Sequence, residues 1–245
     1  MAEGVRTEAE SGPRLLVVMP ARNEGDRIAG VIHRIQEVIP AATILVIEDS
    51  SHDDTVAVAR DAGALVISLP INIGYGGALQ AGFQHAAAHG FTTVVAIDAD
   101  GQHSPDDIPR LLQVLEQARA DLVIGSRFVE DTGYETGPVR RATMVFFALL
   151  TSLLAGQRIT DTTSGFQAMG PKALCHFARR YPNDYPNAEV LVDLAWRGGR
   201  IVEVPIKVGS RSGGTSMFNM WSSLYYVVKM TLSVLMVPMR GRRPG

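Results

Sequence analysis

Over the first half of the chain, short apolar runs alternate with segments that have the apolar pattern of an amphipathic helix. Between these runs, apolar residues recur at helical spacing, as at Ile28, Val31 and Ile35, and Pro40 marks the end of that helix. Apolar strands that alternate with helices predict an α/β fold, with a mostly parallel sheet covered by helices on both faces. The predicted strands are residues 15–19, 43–47, 65–69, 94–97 and 122–124. Beyond about residue 128 the alternation becomes weaker.

Polar residues follow the ends of four predicted strands. The segments 22–24, 48–49, 72–77 and 98–100 come after the first, second, third and fourth strands. The carboxyl ends of parallel strands meet at one edge of a sheet, and ligands of such sheets bind there. The pattern therefore predicts one polar site built from four separate segments.

Asp98 and Asp100 flank a single residue at the end of the fourth strand. Side chains two apart on a strand point the same way, so these carboxylates repel each other unless a cation lies between them. Mg²⁺ or Mn²⁺ would satisfy them, with Gln102 or His103 as a further ligand. The alternative is a solvated turn, because Asp100 precedes Gly101 and Asp-Gly is common in turns. The position at a strand end favours the metal site.

The glycine-rich segment before the third helix has two interpretations. Gly74, Gly76 and Gly77 could contact a ligand, or they could form a tight loop that lets the helix pack closely. The spacing does not match a dinucleotide-binding fingerprint, and the segment lacks the lysine of a phosphate-binding P-loop. Both interpretations stay open at this point.

Several charged side chains are candidate contacts to a ligand. Asp49 could accept hydrogen bonds from a nucleobase or ribose, whereas nearby Asp53 or Asp54 suits a helix start. Guanidinium groups bind phosphate in a fork, which makes Arg127 and Arg211 candidates for phosphate contacts. Arg211 lies in a glycine–serine loop of the kind that closes over a ligand.

Charge and cysteine content narrow the possible function classes. The 245 residues carry 23 basic and 25 acidic side chains, a formal net charge of −2, which argues against a generally basic nucleic-acid binder. A single cysteine, Cys175, allows neither an internal disulfide nor a cysteine-cluster zinc site and suits a reducing compartment. Residues 1–13 are polar, do not resemble a signal peptide, and are expected to form a disordered tail.

Two apolar runs, 142–156 and 224–239, come close to the length of a membrane span. Neither reaches the ~18–20 apolar residues that a bilayer requires. Each is expected to be either a buried helix or a helix in a membrane interface. If the run at 224–239 lies in a membrane interface, Arg240, Arg242 and Arg243, which follow it, would face anionic headgroups.

Seven motifs occur in the order typical of family 2 glycosyltransferases. They are PARNEGDRI, VIEDSSHDDT, NIGYGGALQAGF, AIDADGQHSPDDI, VIGSRF, DTTSGFQAM and VEVPIKVGSRSGGTSMF, and they extend over about residues 14–220. The sequence most resembles the polyprenyl-phosphate sugar transferases of the dolichol-phosphate mannose synthase type. Two positions depart from that pattern: Glu48 replaces the first aspartate of an acidic pair, and Gln167 stands where many relatives have arginine.

This resemblance implies a GT-A fold, with a Rossmann-like sheet and additional C-terminal apolar or amphipathic helices. It implies a catalytic domain over 14–220 and a membrane-interface helix with a basic tail over 221–245. The implied donor-binding residues are Pro20, Ala21, Asn23, Glu24, Asp49, Asn72, Gly77, Asp98 and Ala99. The implied metal ligands are Asp98, Asp100 and Gln102, and the implied catalytic residues are Asp100, Arg127, Asp161, Glu189 and Arg211.

The implied reaction is the inverting transfer of a hexose from a UDP- or GDP-linked donor to a polyprenyl phosphate, with Mg²⁺ or Mn²⁺ as cofactor. Such an enzyme would be peripheral on the cytoplasmic face of a membrane, with a small membrane protein as a further expected partner and no nucleic acid.

Other functions stay open beside this one. A hydroxyl acceptor is the alternative, and it would require Glu189 or Asp161 as a general base. A non-catalytic module that binds nucleotide-sugars is more remote. A sugar-nucleotide pyrophosphorylase is disfavoured, because the first strand is not followed by a basic, glycine-rich segment.

Overall fold

The computed structural model of the chain describes residues 14–130, 137–184, 186–207 and 229–237. Its strands are β1 (Leu15–Ala21), β2 (Thr43–Glu48), β3 (Leu65–Ser68), β4 (Thr93–Ala96), β5 (Leu122–Ser126), β6 (Gln167–Met169) and β7 (Ile201–Pro205). Its helices are α1 (Gly25–Val38), α2 (Thr55–Asp61), α3 (Tyr75–Ala88), α4 (Ile108–Gln117), α5 (Pro138–Ala155), α6 (Pro171–Arg179) and α7 (Ala188–Trp196). A short 3₁₀ turn, Pro105–Asp107, precedes α4, and residues 229–237 are also helical. The five strands predicted from the first half of the sequence are all present.

The strands form one sheet in the order β3-β2-β1-β4-β6-β5-β7. Every neighbouring pair is parallel except those of β6, which runs antiparallel to both β4 and β5. The prediction of a mostly parallel sheet is therefore confirmed. The carboxyl ends of β1, β2 and β4 lie at one edge, as the sequence pattern predicts.

Helices cover both faces of the sheet and form two apolar cores. On one face, α1, α2 and α4 bury residues such as Ile32 and Leu111 against the sheet. On the other face, α3, α5, α6 and α7 bury residues such as Phe83 and Phe177, and the helix at 229–237 joins the same core through Val234. Both faces are thus closed to water, which suits strands that are apolar on both sides.

The third predicted strand is an edge strand that is only partly buried. Leu65 in β3 is 53% exposed, and none of the four residues of this strand is fully buried. The reason is topological, because β3 lies at the edge of the sheet and pairs only with β2. An apolar run alone does not distinguish an edge strand from an interior strand.

Over residues 142–155 and 229–237, the described parts of the two long apolar runs lie in helices that bury one side only. In α5, Phe147 and Ala155 are buried, while Val145, Phe146, Leu149 and Leu153 are exposed. The helix at 229–237 repeats this pattern: Met230, Val234 and Val237 are buried, while Leu232, Leu235 and Met236 are exposed. Among the described residues, no helix combines the length and the apolarity that crossing a membrane requires. The expected tail 1–13 and the arginines at 240, 242 and 243 lie outside the described residues.

Candidate functional site

An open cleft of about 720 Å³ lies at the carboxyl ends of β1, β2 and β4. Eight residues that the sequence resemblance implicates line it: Pro20, Ala21, Glu24, Asp49, Asn72, Asp98, Ala99 and Asp100. The cleft also includes Arg22, Gly74 and Tyr75, which belong to the predicted polar segments, and three residues that the sequence analysis did not single out: Ala78, Asp184 and Lys229. Four separate segments therefore meet at one site, as the strand-end pattern predicts.

Asn23 joins the loop after β1 to the loop after β2 and is not among the residues that line the cleft. Its backbone has a φ of 56°, in the left-handed region that asparagine tolerates better than most residues. Its side-chain oxygen accepts a hydrogen bond from the His52 amide at 2.9 Å, and its own amide donates to Ser51 Oγ at 3.1 Å. Asn23 thus positions the wall of the cleft, and its donor contact stays a prediction.

Asp49 holds the loop that follows β3. Its two carboxylate oxygens accept hydrogen bonds from the amides of Ile73 (2.8 Å) and Gly74 (3.0 Å). The Gly74 amide also donates to the side-chain oxygen of Asn72 at 3.0 Å. Each carboxylate oxygen has a second lone pair, so Asp49 can still accept a hydrogen bond from a ligand. The fixed loop forms one side of the cleft.

The glycines before α3 allow close backbone packing. The amides of Gly76 and Gly77 both donate to the carbonyl of Asn183, at 3.0 and 3.2 Å. A Cβ atom on Gly76 would lie 1.9 Å from the Pro182 carbonyl oxygen, so no larger residue fits there. The structure therefore supports the close-packing interpretation for this segment. Gly77 is buried beside the cleft, and its contact to a donor stays a prediction.

Asp98 and Asp100, the predicted metal ligands, both line the cleft. Asp98 Oδ1 accepts a hydrogen bond from the Tyr75 hydroxyl at 2.8 Å, and Asp98 Oδ2 lies 3.8 Å from His103 Nε2. Asp100 accepts hydrogen bonds from both the backbone amide and the side-chain amide of Gln102. Burial raises the pKa of the Asp98 carboxyl, while His103 and the Tyr75 hydrogen bond oppose this shift. A cation at this position would favour the ionised carboxylate.

These residues fit a divalent cation that keeps open coordination positions. Asp98, Asp100 and Gln102 offer oxygen atoms, the ligands that Mg²⁺ and Mn²⁺ prefer. Within the described ranges, no group of three His, Cys, Asp or Glu side chains is arranged to hold a metal ion. An ion bound here would therefore need further oxygen ligands, which a diphosphate and water supply. The His103 ring lies next to Asp98, and its buried Nδ1 has no hydrogen-bond partner among the described residues.

Arg127 and Asp161 form a buried ion pair. The guanidinium donates to both carboxylate oxygens at 2.7 Å, and the Arg127 amide donates to the same carboxylate at 3.1 Å. The side chains are 11% and 0% exposed. Burial alone would raise the pKa of Asp161, but the hydrogen bonds and the charge of Arg127 outweigh this effect and lower it. The predicted phosphate contact of Arg127 and the predicted role of Asp161 near the sugar stay predictions.

Glu203 on β7 holds the backbone segment that carries Asp161. Its carboxylate accepts hydrogen bonds from the amides of Thr160 (2.8 Å) and Asp161 (2.7 Å), and from the Thr160 hydroxyl. The site prediction did not include Glu203. The only sequence signal is its alternation with apolar residues in the VEVPI strand, which does not reveal its partner.

Glu189 lies in a second cleft of about 390 Å³. Asp184 and Lys229 line this second cleft and the main cleft, and the Lys229 ammonium pairs with the Asp184 carboxylate between them. Glu189 is thus next to the main cleft without lining it. Arg211 lies outside the described residues, so its predicted phosphate contact stays a prediction.

Comparison with known proteins agrees with this architecture. The model of the family described as "Glycosyl transferase family 2" matches residues 16–177. The chain is 33% identical over 217 residues to the undecaprenyl-phosphate mannosyltransferase of Micrococcus luteus, covering 83% of this chain and 86% of that protein. It is 33% identical over 214 residues to the polyprenol monophosphomannose synthase of Mycolicibacterium smegmatis, covering 83% and 80%. It is 34% identical over 204 residues to the dolichyl-phosphate hexose transferase of Haloferax volcanii, covering 83% and 86%.

The fold is similar to that of solved glycosyltransferases. Glucosyl-3-phosphoglycerate synthase from Mycobacterium tuberculosis, in complex with phosphoglyceric acid, superimposes with a TM-score of 0.67 at 24% identity, covering 92% of this chain and 79% of that one. A structure of the same enzyme with Mn²⁺, UDP and glucosyl-3-phosphoglycerate gives a TM-score of 0.65 at 24% identity and the same coverage. The structural likeness confirms the GT-A fold. The family model and the relatives show that the chain belongs to glycosyltransferase family 2 and is a glycosyltransferase.

Proposed function

We propose that this enzyme transfers a hexose from a nucleotide-sugar to a polyprenyl phosphate, with inversion at the anomeric carbon and with Mg²⁺ or Mn²⁺ as cofactor. The observation that carries the proposal is the Asp98–Asp100 pair in an open cleft at the carboxyl ends of β1, β2 and β4. The names of the three relatives, all sugar transferases that act with a polyprenyl or dolichyl phosphate, support the acceptor class.

In this proposal, the nucleotide and the diphosphate occupy different parts of the cleft. Pro20, Ala21 and Glu24 from the first loop, with Asp49 from the second, would contact the base and the ribose. Asp98, Asp100 and Gln102 would hold the divalent ion, which supplies neutralisation of the diphosphate leaving group when bound. Glucosyl-3-phosphoglycerate synthase from Mycobacterium tuberculosis, which has a similar fold, has a solved structure with Mn²⁺ and UDP, and this supports the assignment.

The acceptor oxygen forms a bond to the anomeric carbon as the bond between that carbon and the diphosphate oxygen breaks. A phosphate acceptor is already anionic at neutral pH, so the protein must position it and need not remove a proton. The buried Arg127–Asp161 pair would hold the floor of this region rigid, and Arg211 would approach from its glycine–serine loop. The Tyr75 side chain and the 182–184 segment would limit access of water to the reacting carbon.

A hydroxyl acceptor is the competing possibility, and Glu189 is the observation that favours it. This carboxylate lies in the second cleft, directly beyond the Asp184–Lys229 pair. A hydroxyl nucleophile needs a general base, and a carboxylate next to the donor cleft is suited to that role. The two acceptor classes therefore differ in whether Glu189 is essential.

A transfer assay with matched acceptors tests the proposal. The full chain is incubated with Mn²⁺ and labelled UDP- or GDP-hexoses, and with either a polyprenyl phosphate, the corresponding polyprenol or 3-phosphoglycerate. We expect product only with the polyprenyl phosphate, an inverted anomeric configuration by NMR, and activity that Glu189→Gln largely retains. Transfer to the polyprenol or to phosphoglycerate, or complete loss of activity in Glu189→Gln, would contradict the lipid-phosphate assignment.

The exposed apolar side of α5 supports a peripheral position on a membrane. Leu149 and Leu153 are 68% and 79% exposed, and an isoprenoid acceptor is itself located in a bilayer. Each leucine inserted into a lipid interface contributes roughly 1.5–3 kcal/mol, so Leu149→Asp with Leu153→Asp should weaken vesicle binding at least tenfold. Leu65→Asp, at an exposed leucine in β3, is the matched control. Equal binding of all three proteins to anionic vesicles would refute this orientation.

A further inference from the structure

Tyr75 separates the main cleft from a smaller inner pocket. Both Tyr75 and Asp98 line the main cleft and also the inner pocket of about 130 Å³ behind it. The hydrogen bond between the Tyr75 hydroxyl and Asp98 Oδ1, 2.8 Å long, lies at this boundary. The other residues of the inner pocket include Thr163, Gln167 and Asn187. The Tyr75 phenol therefore donates a hydrogen bond to Asp98, the first carboxylate of the proposed metal-binding pair.

The chain leaves room for this contact at Gly165. A Cβ atom on Gly165 would lie 2.2 Å from the Tyr75 hydroxyl oxygen and 3.2 Å from Asp98 Oδ2. Three segments thus converge on one hydrogen bond: the start of α3, the end of β4 and the segment before β6. An alanine at position 165 would displace the hydroxyl, because real Cβ contacts are not that short.

The Tyr75 hydroxyl is a neutral hydrogen-bond donor, because a phenol ordinarily keeps its proton up to about pH 10. A protonated phenol can satisfy one carboxylate oxygen and leave the other free. Metal-ligating carboxylates are commonly oriented by such a second partner, and loss of the partner typically weakens metal affinity about 10- to 100-fold.

We propose that Tyr75 is a positioning residue for the metal site: its hydroxyl holds Asp98 by Oδ1, so that the carboxylate is oriented for the divalent ion before the donor binds. This inference rests on the proposed metal-dependent function and adds a residue that acts through Asp98. Tyr181 provides a comparison, because it is a buried tyrosine that lines the same inner pocket.

The test measures Mn²⁺ binding directly, without turnover. The full chain is titrated with Mn²⁺ in the presence of UDP and, separately, GDP, and free Mn²⁺ is followed by its electron paramagnetic resonance signal. Tyr75→Phe should raise the Mn²⁺ dissociation constant about 10- to 100-fold. Tyr181→Phe, which removes a hydroxyl from the same pocket, should stay close to the wild type. In the transfer assay, Tyr75→Phe should raise the KM for Mn²⁺, while kcat recovers at saturating Mn²⁺.

Gly165→Ala is an independent way to disrupt the hydrogen bond between Tyr75 and Asp98. It should weaken Mn²⁺ binding in the wild-type chain, and most of that effect should disappear in the Tyr75→Phe background, because the displaced hydroxyl is then absent. Thermal melting without metal shows that each variant is folded.

Each outcome decides the inference. Unchanged Mn²⁺ affinity in folded Tyr75→Phe, or an equal loss in Tyr181→Phe, overturns the role of Tyr75 while leaving the metal site intact. If Tyr75→Phe does not fold, unchanged Mn²⁺ affinity in folded Gly165→Ala overturns it instead. If the wild type binds no Mn²⁺ with either nucleotide, the proposed metal-dependent function itself is wrong.

Discussion

Removal of the Asp161 carboxylate should be one of the most costly single changes in this protein. In Asp161→Ala, the Arg127 guanidinium, which is 11% exposed, loses the carboxylate with which it forms its buried ion pair. Breaking a buried ion pair by removing one partner costs about 3–5 kcal/mol, because the remaining charge is desolvated and uncompensated. The amide and hydroxyl of Thr163 also lose their acceptor. In a chain of this size, that loss corresponds to a decrease in Tm of roughly 6–20 °C.

Urea denaturation of matched variants measures this cost. Arg34→Ala removes an exposed cation that pairs with Glu37 and Asp106, and should cost at most about 1 kcal/mol. The double variant Arg127→Met with Asp161→Leu replaces both charges and should be more stable than Asp161→Ala alone. If Asp161→Ala costs no more than Arg34→Ala, the pair is effectively solvated and the reasoning is refuted.

The pH dependence gives a second, independent test of the same pair. Arg127 holds the folded-state pKa of Asp161 below its ordinary value of about 4, so the stabilising contribution is fully present above that pH. It is lost as the pH falls from about 4 through the lower folded-state pKa. The stability difference between wild type and Asp161→Asn should therefore shrink over this range. A difference that stays constant from pH 6 to pH 2 would contradict the assignment.

Two further variants test the site and the packing. Asp100→Ala should abolish the metal-dependent thermal stabilisation by UDP- or GDP-sugars. Its melting temperature without ligand should stay near that of the wild type. A metal-dependent shift of wild-type size in this variant would refute the metal assignment. Gly82→Ala would place a Cβ atom 2.3 Å from a methyl of the buried Val18, so denaturation should show a loss of about 1–3 kcal/mol despite the better helix propensity of alanine. Gly30→Ala in α1, with no atom within 4 Å, is the control and should stabilise by about 0.5–1 kcal/mol; equal effects of the two alanines would refute the packing argument.

The carboxylate pair and its location could be predicted from sequence because the signal is local. Asp98 and Asp100 follow an apolar run directly, and the rule for parallel sheets then places them at the ligand-binding edge. The same reasoning places Asp49 at that edge. In each case, a few consecutive residues and one rule of topology were sufficient.

The interactions that brace the site could not be predicted, because their partners are far apart in sequence. Arg127 and Asp161 are separated by 34 residues, and Asp161 and Glu203 by 42. Each of these residues occurs in a plausible loop or strand pattern, and nothing in that pattern indicates which opposite charge lies nearby. Tyr75 is a similar case, since its partner Asp98 is 23 residues away and its neighbours are glycines.

Strand β6 escaped prediction for a different reason. Strand β6 has three residues, Gln167–Met169, too few for a period to be recognised. It inserts antiparallel between β4 and β5, so strand–helix alternation does not apply to it. Its three residues are nevertheless fully buried, which shows that its position depends on long-range packing and not on local preference.

The acidic residues of the site fall into two classes, according to which groups donate hydrogen bonds to their carboxylate oxygens. Both oxygens of Asp49 accept backbone amides, and both oxygens of Asp161 accept groups of Arg127, so these two carboxylates chiefly hold the walls of the site in place. Asp98 and Asp100 accept hydrogen bonds from the neutral groups of Tyr75 and Gln102, and both line the open cleft. Neutral donors orient a carboxylate without cancelling its negative charge, so a bound cation would still be needed to balance the charges of Asp98 and Asp100. The same division explains why removal of Asp161 should destabilise the fold, while removal of Asp100 should leave the stability near that of the wild type and abolish metal-dependent donor binding.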